Sequence, residues 1–435
     1  MAHAVRALAR DRNYVSLWVG QFISIFGDRF TYLALLAVVV ARARDPLNPA
    51  AELALLPLAS FLPAILFGPW IGAIVDRSDT RRVLIVSDLA RGLAVLAMIP
   101  ATLYGGLPAL FVLVFALYVA NTFFLPARSA IVPLLVPAER LTEANSLATF
   151  AGVAATIAGS LAGGALIDHF GWQWGFTLDA ATYFVSVLAL WRIRIAAPAL
   201  SPTAPAPVPE SAPAIGGPGE GGASARYRKL AAEIREGFSI LLHTPRAWMV
   251  TLTVMLLWMA GGVLHVAVPI LVGQGGRVAS GVGTLIASTA VGMILGTLGI
   301  AARGAVAAPG TRLSVGLLGT GISIAAFALV PNGIAAMTVA FFAGLFVALL
   351  LVTAETALQE AIAVGARGRV FALRDMAARL AVLVTAGGAG WIVARGTPPR
   401  TAVLVAGALL GLTGLVGFWV RWPESRDTGE ASGGT

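Results

Sequence analysis

Runs of about twenty mostly apolar residues alternate along the chain with short polar stretches that carry arginine. That length matches the ~20 residues a helix needs to cross a hydrocarbon layer ~30 Å thick. In lipid every backbone donor and acceptor must be satisfied internally, so only helices or closed barrels span it. The period-two alternation of barrel strands is absent. The runs predict spans near 14–41, 52–75, 83–104, 109–134, 145–168 and 172–194, then 246–272, 280–302, 311–331, 334–360, 370–394 and 401–422. The expected fold class is an all-α integral membrane protein of twelve transmembrane helices, six plus six. Arg6, Arg10 and Arg12 precede the first run as in a signal peptide. That run is too long and has no small-residue cleavage site, so it reads as a retained helix.

Between the halves, Pro198 to Gly222 holds 7 prolines and 5 glycines in 25 residues. So little apolar surface cannot offset ordering entropy, which predicts a disordered linker over 196–225. Leu230, Ile234, Phe238 and Leu241 recur at helical spacing and predict an amphipathic cytoplasmic helix over 226–245. The expected domains are therefore an N-terminal bundle over 1–195, this linker and helix, a C-terminal bundle over 246–422 and a disordered tail over 423–435. With both ends on one side, that side carries 21 basic residues and the other only Arg42, Arg44, Arg277, Arg395 and Arg400. The excess of arginine marks the cytoplasmic face, so both termini are expected there.

Composition agrees with the spans. Hydrophobic residues make up 58% and charged residues 12%, with mean hydropathy +0.86; soluble chains carry nearer ~25% charge. The net charge of +9 is spread over short loops, so no nucleic-acid partner is expected. There is no cysteine, and the four histidines are scattered, so no metal site is expected. No Gly-rich phosphate loop of the Walker type is present, and no cofactor is expected.

The most specific string runs Gly68-Pro-Trp-Ile-Gly72-Ala-Ile-Val-Asp76-Arg77-Ser-Asp79-Thr-Arg81-Arg82. Small residues every fourth position let another helix approach. Asp76 at the membrane edge can face a neighbouring helix N-terminus and pair with an arginine, holding a gate shut. The string resembles the signature loop of the major facilitator superfamily, Gly-x-x-x-Asp-Arg-x-Gly-Arg-Arg, with Asp79 where that pattern has glycine. Phe123-Phe-Leu-Pro-Ala-Arg128, Glu139-Arg-Leu-Thr-Glu-Ala-Asn145, Gly20-Gln21…Gly27-Asp28, Ser87-Asp88-Leu-Ala-Arg91 and Arg367-Gly-Arg369-Val-Phe resemble the branch containing the enterobactin exporter and macrolide-efflux proteins. The resemblance implies two pseudo-symmetric six-helix bundles, alternating access and export commonly driven by proton antiport. It makes Gly72, Asp76, Arg77, Arg81, Arg82 and Arg128 a cytoplasmic gating loop. In place of the family's exporter motif the fifth span has Gly152, Gly159, Gly163 and Gly164, without the proline. These are expected to meet Gly292, Gly296 and Gly299 of the eighth span across the bundle interface. The fourth span lacks the intramembrane arginine found in many proton-coupled drug antiporters.

Ionisable groups at membrane depth mark candidate sites because burying charge in lipid costs several kcal/mol. Asp28 lies mid-span, and Gln21, Ser24, Asp28, Thr31 and Tyr32 share one helical face, as a cavity wall would. Asp28 is the expected coupling or substrate residue, joined by Gln21, Ser24, Tyr32, Asn121, Glu355 and Gln359. Asp88 and Arg91 are expected to pair with each other or with loop arginines. Acid-bearing helices in an apolar wall suit a hydrophobic or cationic substrate. The expected function is export of a small amphipathic molecule (drug, macrolide-like compound or siderophore) from a cell (inner) membrane, with protons and membrane lipids as further partners and a monomeric state. A lipid or lysolipid flippase would share these motifs. A membrane-embedded enzyme would need clustered His, Asp or Ser groups at one membrane depth, which the scattered histidines disfavour, and a sensor would usually append a soluble domain; no residues are expected to be catalytic.

Overall fold

The computed structural model describes residues 11–45, 48–75, 77–193, 232, 235–273, 276–303, 307–331, 333–420 and 422. Asp76, the 196–225 linker, residues 226–231 and the 423–435 tail lie outside the described residues.

Among the described residues twelve long helices follow the apolar runs: α1 Arg12–Arg42, α2 Ala50–Val75, α3 Thr80–Pro100, α4 Gly106–Leu135, α5 Leu141–Phe170 and α6 Trp172–Arg192. The second half supplies α7 Pro245–Gly273, α8 Val278–Arg303, α9 Pro309–Leu329, α10 Ile334–Ala361, α11 Val364–Ala394 and α12 Pro399–Gly417. From Thr80 to Leu135 the chain is helical for 56 residues. At 1.5 Å per residue a straight rod would be ~84 Å long, about twice a bilayer. The π-helical turn Ala101–Gly105 and Gly106, at φ 69°, reverse the chain instead. A side chain is disfavoured at that positive φ.

The two halves repeat one packing scheme. In the first, α1 packs on α5 and α6, α3 on α4 and α6, and α2 on α4. In the second, α7 packs on α11 and α12, α9 on α10 and α12, and α8 on α10. Every pair recurs six helices on, which is the pseudo-symmetry of two six-helix bundles. The bundles meet through α2 with α11 and α5 with α8, two contacts that the same symmetry exchanges.

That meeting is one-sided. One apolar core joins Leu33, Leu53 and Ile167 of the first bundle to Val266, Val282 and Ala386 of the second. The other large cores each stay within one bundle. The joined end is opposite the α2–α3 turn with Arg77, Arg81 and Arg82, called here the arginine-rich end. Residues 235–243 are helical and rest under α11 at the arginine-rich end, with Glu236 on Arg369 at 2.6 Å and Leu241 buried.

Candidate functional site

Close approach of α1 to α6 builds the site. A methyl group at Gly27 would overlap Thr182 and Asp179, and one at Gly20 would press on Ala189 and Ser186. On α3, Gly92 lies equally near Tyr183 and Phe184. Without hydrophobic drive between helices in lipid, such small residues allow backbones to pack tightly. They bring the polar groups of three helices together at membrane depth.

Tyr183 donates its hydroxyl to Asp28 Oδ1 at 2.5 Å. Asp88 and Arg91 form a hydrogen-bonded ion pair, both essentially buried, and Ser186 Oγ donates to Asp88 Oδ2 at 2.7 Å. Arg91 also donates to Asn121 Oδ1 at 3.3 Å, and its guanidinium lies 3.8 Å from the Phe124 ring and 4.7 Å from that of Tyr183. Asp179 accepts from Thr182 Oγ1 at 3.1 Å, while its Oδ2 is buried without a partner. Four helices thus share one connected polar cluster, in which a proton or a side-chain movement at one member is felt by the others.

The predicted α1 face divides between neighbours. Asp28 turns to α6, Ser24 and Thr31 are buried, Tyr32 lines a cavity in the second bundle, and Gln21 accepts from Arg128 at 3.4 Å. A face about 100° wide on a helix held between α5 and α6 cannot form one wall. Glu355 does not join the site: it is ion-paired to Arg374 at 2.6 Å near the arginine-rich end. Gln359 is exposed one turn further on. Asn121 lines the open cavity described below and also touches the cluster.

Within the loop, Arg77 is exposed and Arg81 donates to the carbonyls of Leu190, at 3.1 Å, and Trp191, closing the C-terminal end of α6. Asp79 caps α3, accepting from Arg82 N at 3.1 Å, and pairs with the Arg82 side chain at 3.3 Å. That capping role explains an aspartate where the family pattern has glycine. Gly68 and Gly72 face open space rather than a partner helix, because the bundles are apart at this end.

The glycine faces also need correction. Gly159 and Gly163 receive Phe26, Arg29 and Phe30 of α1, and Gly152 only approaches Ile25. Gly292 and Gly296 receive Phe341 and Leu345 of α10. All five therefore pack inside their own bundles. The α5–α8 interface is made one residue round the helix, where Gly164 abuts Ala279 and Ser280, and Gly283 abuts Ser160. Asp168 locks it: its carboxylate accepts from Ala279 N at 3.3 Å, Ser280 N at 2.9 Å and Ser280 Oγ. These are unsatisfied donors of the first turn of α8, capped from the other bundle. On the α2–α11 side, Asn48 donates to Val393 O at 2.8 Å.

Two sizeable cavities lie among the described residues. One of about 870 Å³ opens at the arginine-rich end between α2, α4 and α11, with Tyr118, Asn121, Asp375 and Arg379 in its wall. The second, about 450 Å³, lies in the opposite half among α7, α8, α9 and α10, closed on one side by Tyr32 and Thr156. None of its lining residues is exposed.

Sequence reasoning passed over Tyr183 and Ser186, although Asp179, Tyr183 and Ser186 stand at i, i+4 and i+7, a polar stripe on an apolar helix. The Asp168 contact has no signal in the local sequence.

Comparisons with known proteins agree with this architecture. The sequence profile of the Major Facilitator Superfamily matches residues 17–333. Macrolide efflux protein A of Streptococcus pyogenes is 31% identical over 133 residues, 30% of this chain and 32% of that protein, so the chain spans about a third of its length in that match. The lysophospholipid transporter LplT of Klebsiella pneumoniae (strain 342) is 26% identical over 94% of this chain and 96% of its own. The uncharacterized MFS-type transporter YfiS of Bacillus subtilis (strain 168) is also 26% identical, covering 93% and 92%. Among solved structures, the nucleoside transporter NupG superposes with TM-score 0.69 at 11% identity, covering 94% of this chain and 99% of NupG. A bacterial homologue of the iron transporter ferroportin in inward-facing state gives 0.67 at 14%, covering 93% and 98%. Helix order, bundle symmetry, profile and superpositions converge: this chain belongs to the major facilitator superfamily of membrane transporters.

Proposed function

We propose that this transporter exports a small amphipathic molecule across a cell membrane by alternating access, coupled to proton entry. The observation that carries this reading is the one-sided meeting of the bundles. The joined end is sealed by Asp168 on α8 and by Asn48 on α11, while an 870 Å³ cavity opens at the other end beside the polar cluster. By the arginine asymmetry the open end is cytoplasmic, as are both termini, so the conformation faces inward. Rocking the bundles about the α2–α11 and α5–α8 contacts would expose the same depth to the other side. Asp28 is the proposed proton carrier, because it hydrogen-bonds Tyr183 and, among the described residues, has no cation pinning its charge. The loop around Gly72, Asp76 and Arg81 is the proposed cytoplasmic gate. The working unit is a monomer in membrane lipid with no cofactor.

The test uses purified protein in liposomes under an imposed pH gradient, with a panel of fluorescent amphiphiles and Asp28→Asn beside the wild type. Gradient-driven uptake that the substitution abolishes while binding persists is the expected result. Movement indifferent to the gradient would exclude proton antiport. A lysolipid flippase is the second reading, favoured by the apolar wall of the 450 Å³ cavity and by the near full-length match to a lysophospholipid transporter.

A further inference from the structure

The cavity of about 450 Å³ among α7, α8, α9 and α10 is a poor place for an ion. Among the described residues its wall holds no Asp, Glu, Lys or Arg and is mostly aliphatic. Asp28 and Asp179 belong to the contact of α1 with α6 and do not line it. An ion inside would have no counter-charge, and an unpaired charge at membrane depth is costly. The volume falls within the ~300–1,000 Å³ range of small-molecule sites. Tyr32 and Thr156 come from the first bundle and the other lining residues from the second, so rocking of the bundles must reshape this wall.

His265 sets what polar group the cavity can take. Its Nδ1 lies 3.1 Å from Gly261 O, one turn back on α7. A carbonyl oxygen only accepts, so Nδ1 carries the proton. No carboxylate in the wall could hold an imidazolium, so the ring is neutral and Nε2 keeps its lone pair. Among the described residues Nε2 has no hydrogen-bond partner, and it is not sealed in protein as Thr320 Oγ1 is, so it opens on the cavity. Tyr32 stands edge-on to the ring, with centroids 6.3 Å apart, and holds its orientation from the first bundle. Thr289 and Ser323 donate their hydroxyl protons to Leu285 O at 2.9 Å and Gly319 O at 2.8 Å on their own helices, which leaves their oxygens as further acceptors. The hydroxyls of Tyr32 and Thr156 can turn to donate or accept, but the imidazole nitrogen cannot. The wall therefore asks for a donor.

We propose that this cavity binds an uncharged, largely apolar molecule bearing a hydrogen-bond donor, a hydroxyl or an N–H group, and that His265 Nε2 accepts that donor. This rests on the reading that the chain moves a small amphipathic molecule, and it makes the polar end of that molecule neutral. A permanent cation is disfavoured, because the carboxylates that suggested one lie outside the wall. A molecule whose polar atom can only accept would cover Nε2 and leave it unpaired, which weakens binding about tenfold.

The test is photolabelling of the purified full chain in nanodiscs. The probes share one trifluoromethyl-diazirinyl benzyl group and end in a hydroxyl, a methyl ether or a trimethylammonium. Adducts of the alcohol should fall on α8, α9 and α10 around Leu285, Phe327 and Ala343. At equal membrane concentration the alcohol should label these residues about tenfold more than the ether, and the cation should label them least. His265→Phe keeps a ring and removes the acceptor, so it should bring the alcohol-to-ether ratio to about one. His265→Gln, whose side-chain carbonyl accepts, should restore most of the preference. The ratio is taken within each variant, so a cavity merely distorted by substitution lowers both probes together, and the wild-type ratio needs no variant to fold. Equal wild-type labelling by alcohol and ether, a cation as effective as the alcohol, adducts outside the cavity, no adducts, or an unchanged ratio in His265→Phe would each overturn the proposal. Movement of the amphiphile panel in liposomes is read separately. Cavity labelling without movement of any panel member would count against the transport reading and leave the site standing. Movement without cavity labelling would remove the site and leave transport standing.

Discussion

Arg91 and Asp88 are 3% and 0% exposed, one turn apart on α3, and each is the other's compensation. A buried ion pair contributes little net stability, but removing one partner strands the other, at a cost of about 3–5 kcal/mol. Asp88→Asn and Arg91→Gln should each lower the thermal unfolding temperature of the purified protein markedly. The double variant should be less destabilised than the sum of the two. Additive losses in that cycle would show that the two side chains are not coupled. The pair was legible in the sequence from its i, i+3 spacing. Tyr183 as the partner of Asp28 was not, because 155 residues separate them and only the packing of α6 on α1 joins them.

Among helices, the short turn between α2 and α3 shows what local chemistry does before any transport role is invoked. Asp79 caps α3 and Arg81 caps α6, so the turn organises two helix ends that lie side by side. Asp79→Ala should cost about 1 kcal/mol through loss of the cap, while Asp79→Asn or Asp79→Ser should retain most of it. Thermal unfolding in detergent checks this, and an alanine variant as stable as wild type would refute the capping role. The glycines of α5 and α8 teach the complementary lesson. Their spacing correctly announced close helix contacts, yet periodicity does not say which neighbour fills a groove. The occupant of the Gly159–Gly163 groove is α1, and that of the Gly292–Gly296 groove is α10.

Across the molecule, the bundles are held at one end by Asp168 acting as a helix cap on the opposite bundle. A conformational cycle must break that contact when this end opens. Asp168→Ala should therefore shift the population toward the form open at this end, by roughly tenfold if one or two charge-assisted bonds are lost. The native chain has no cysteine, so spin labels placed through Phe170→Cys and Arg277→Cys report the separation of the α5 and α8 ends directly. A longer-distance component that grows in Asp168→Ala is the expected outcome. An unchanged distance distribution would mean that the seal depends on the apolar core instead.

Span number, span limits and six-plus-six grouping follow from the chain alone, because a bilayer imposes one length and one polarity on every crossing segment. Local pairs such as Asp88 with Arg91 follow as well, since helical geometry sets which residues three or four apart can meet. Whether Asp28 is free or engaged, which helix fills each glycine groove, where Arg29 points and which helices line the apolar cavity depend on contacts between segments far apart in sequence. Those contacts are set by which faces of neighbouring helices fit, and no single helix encodes its neighbour.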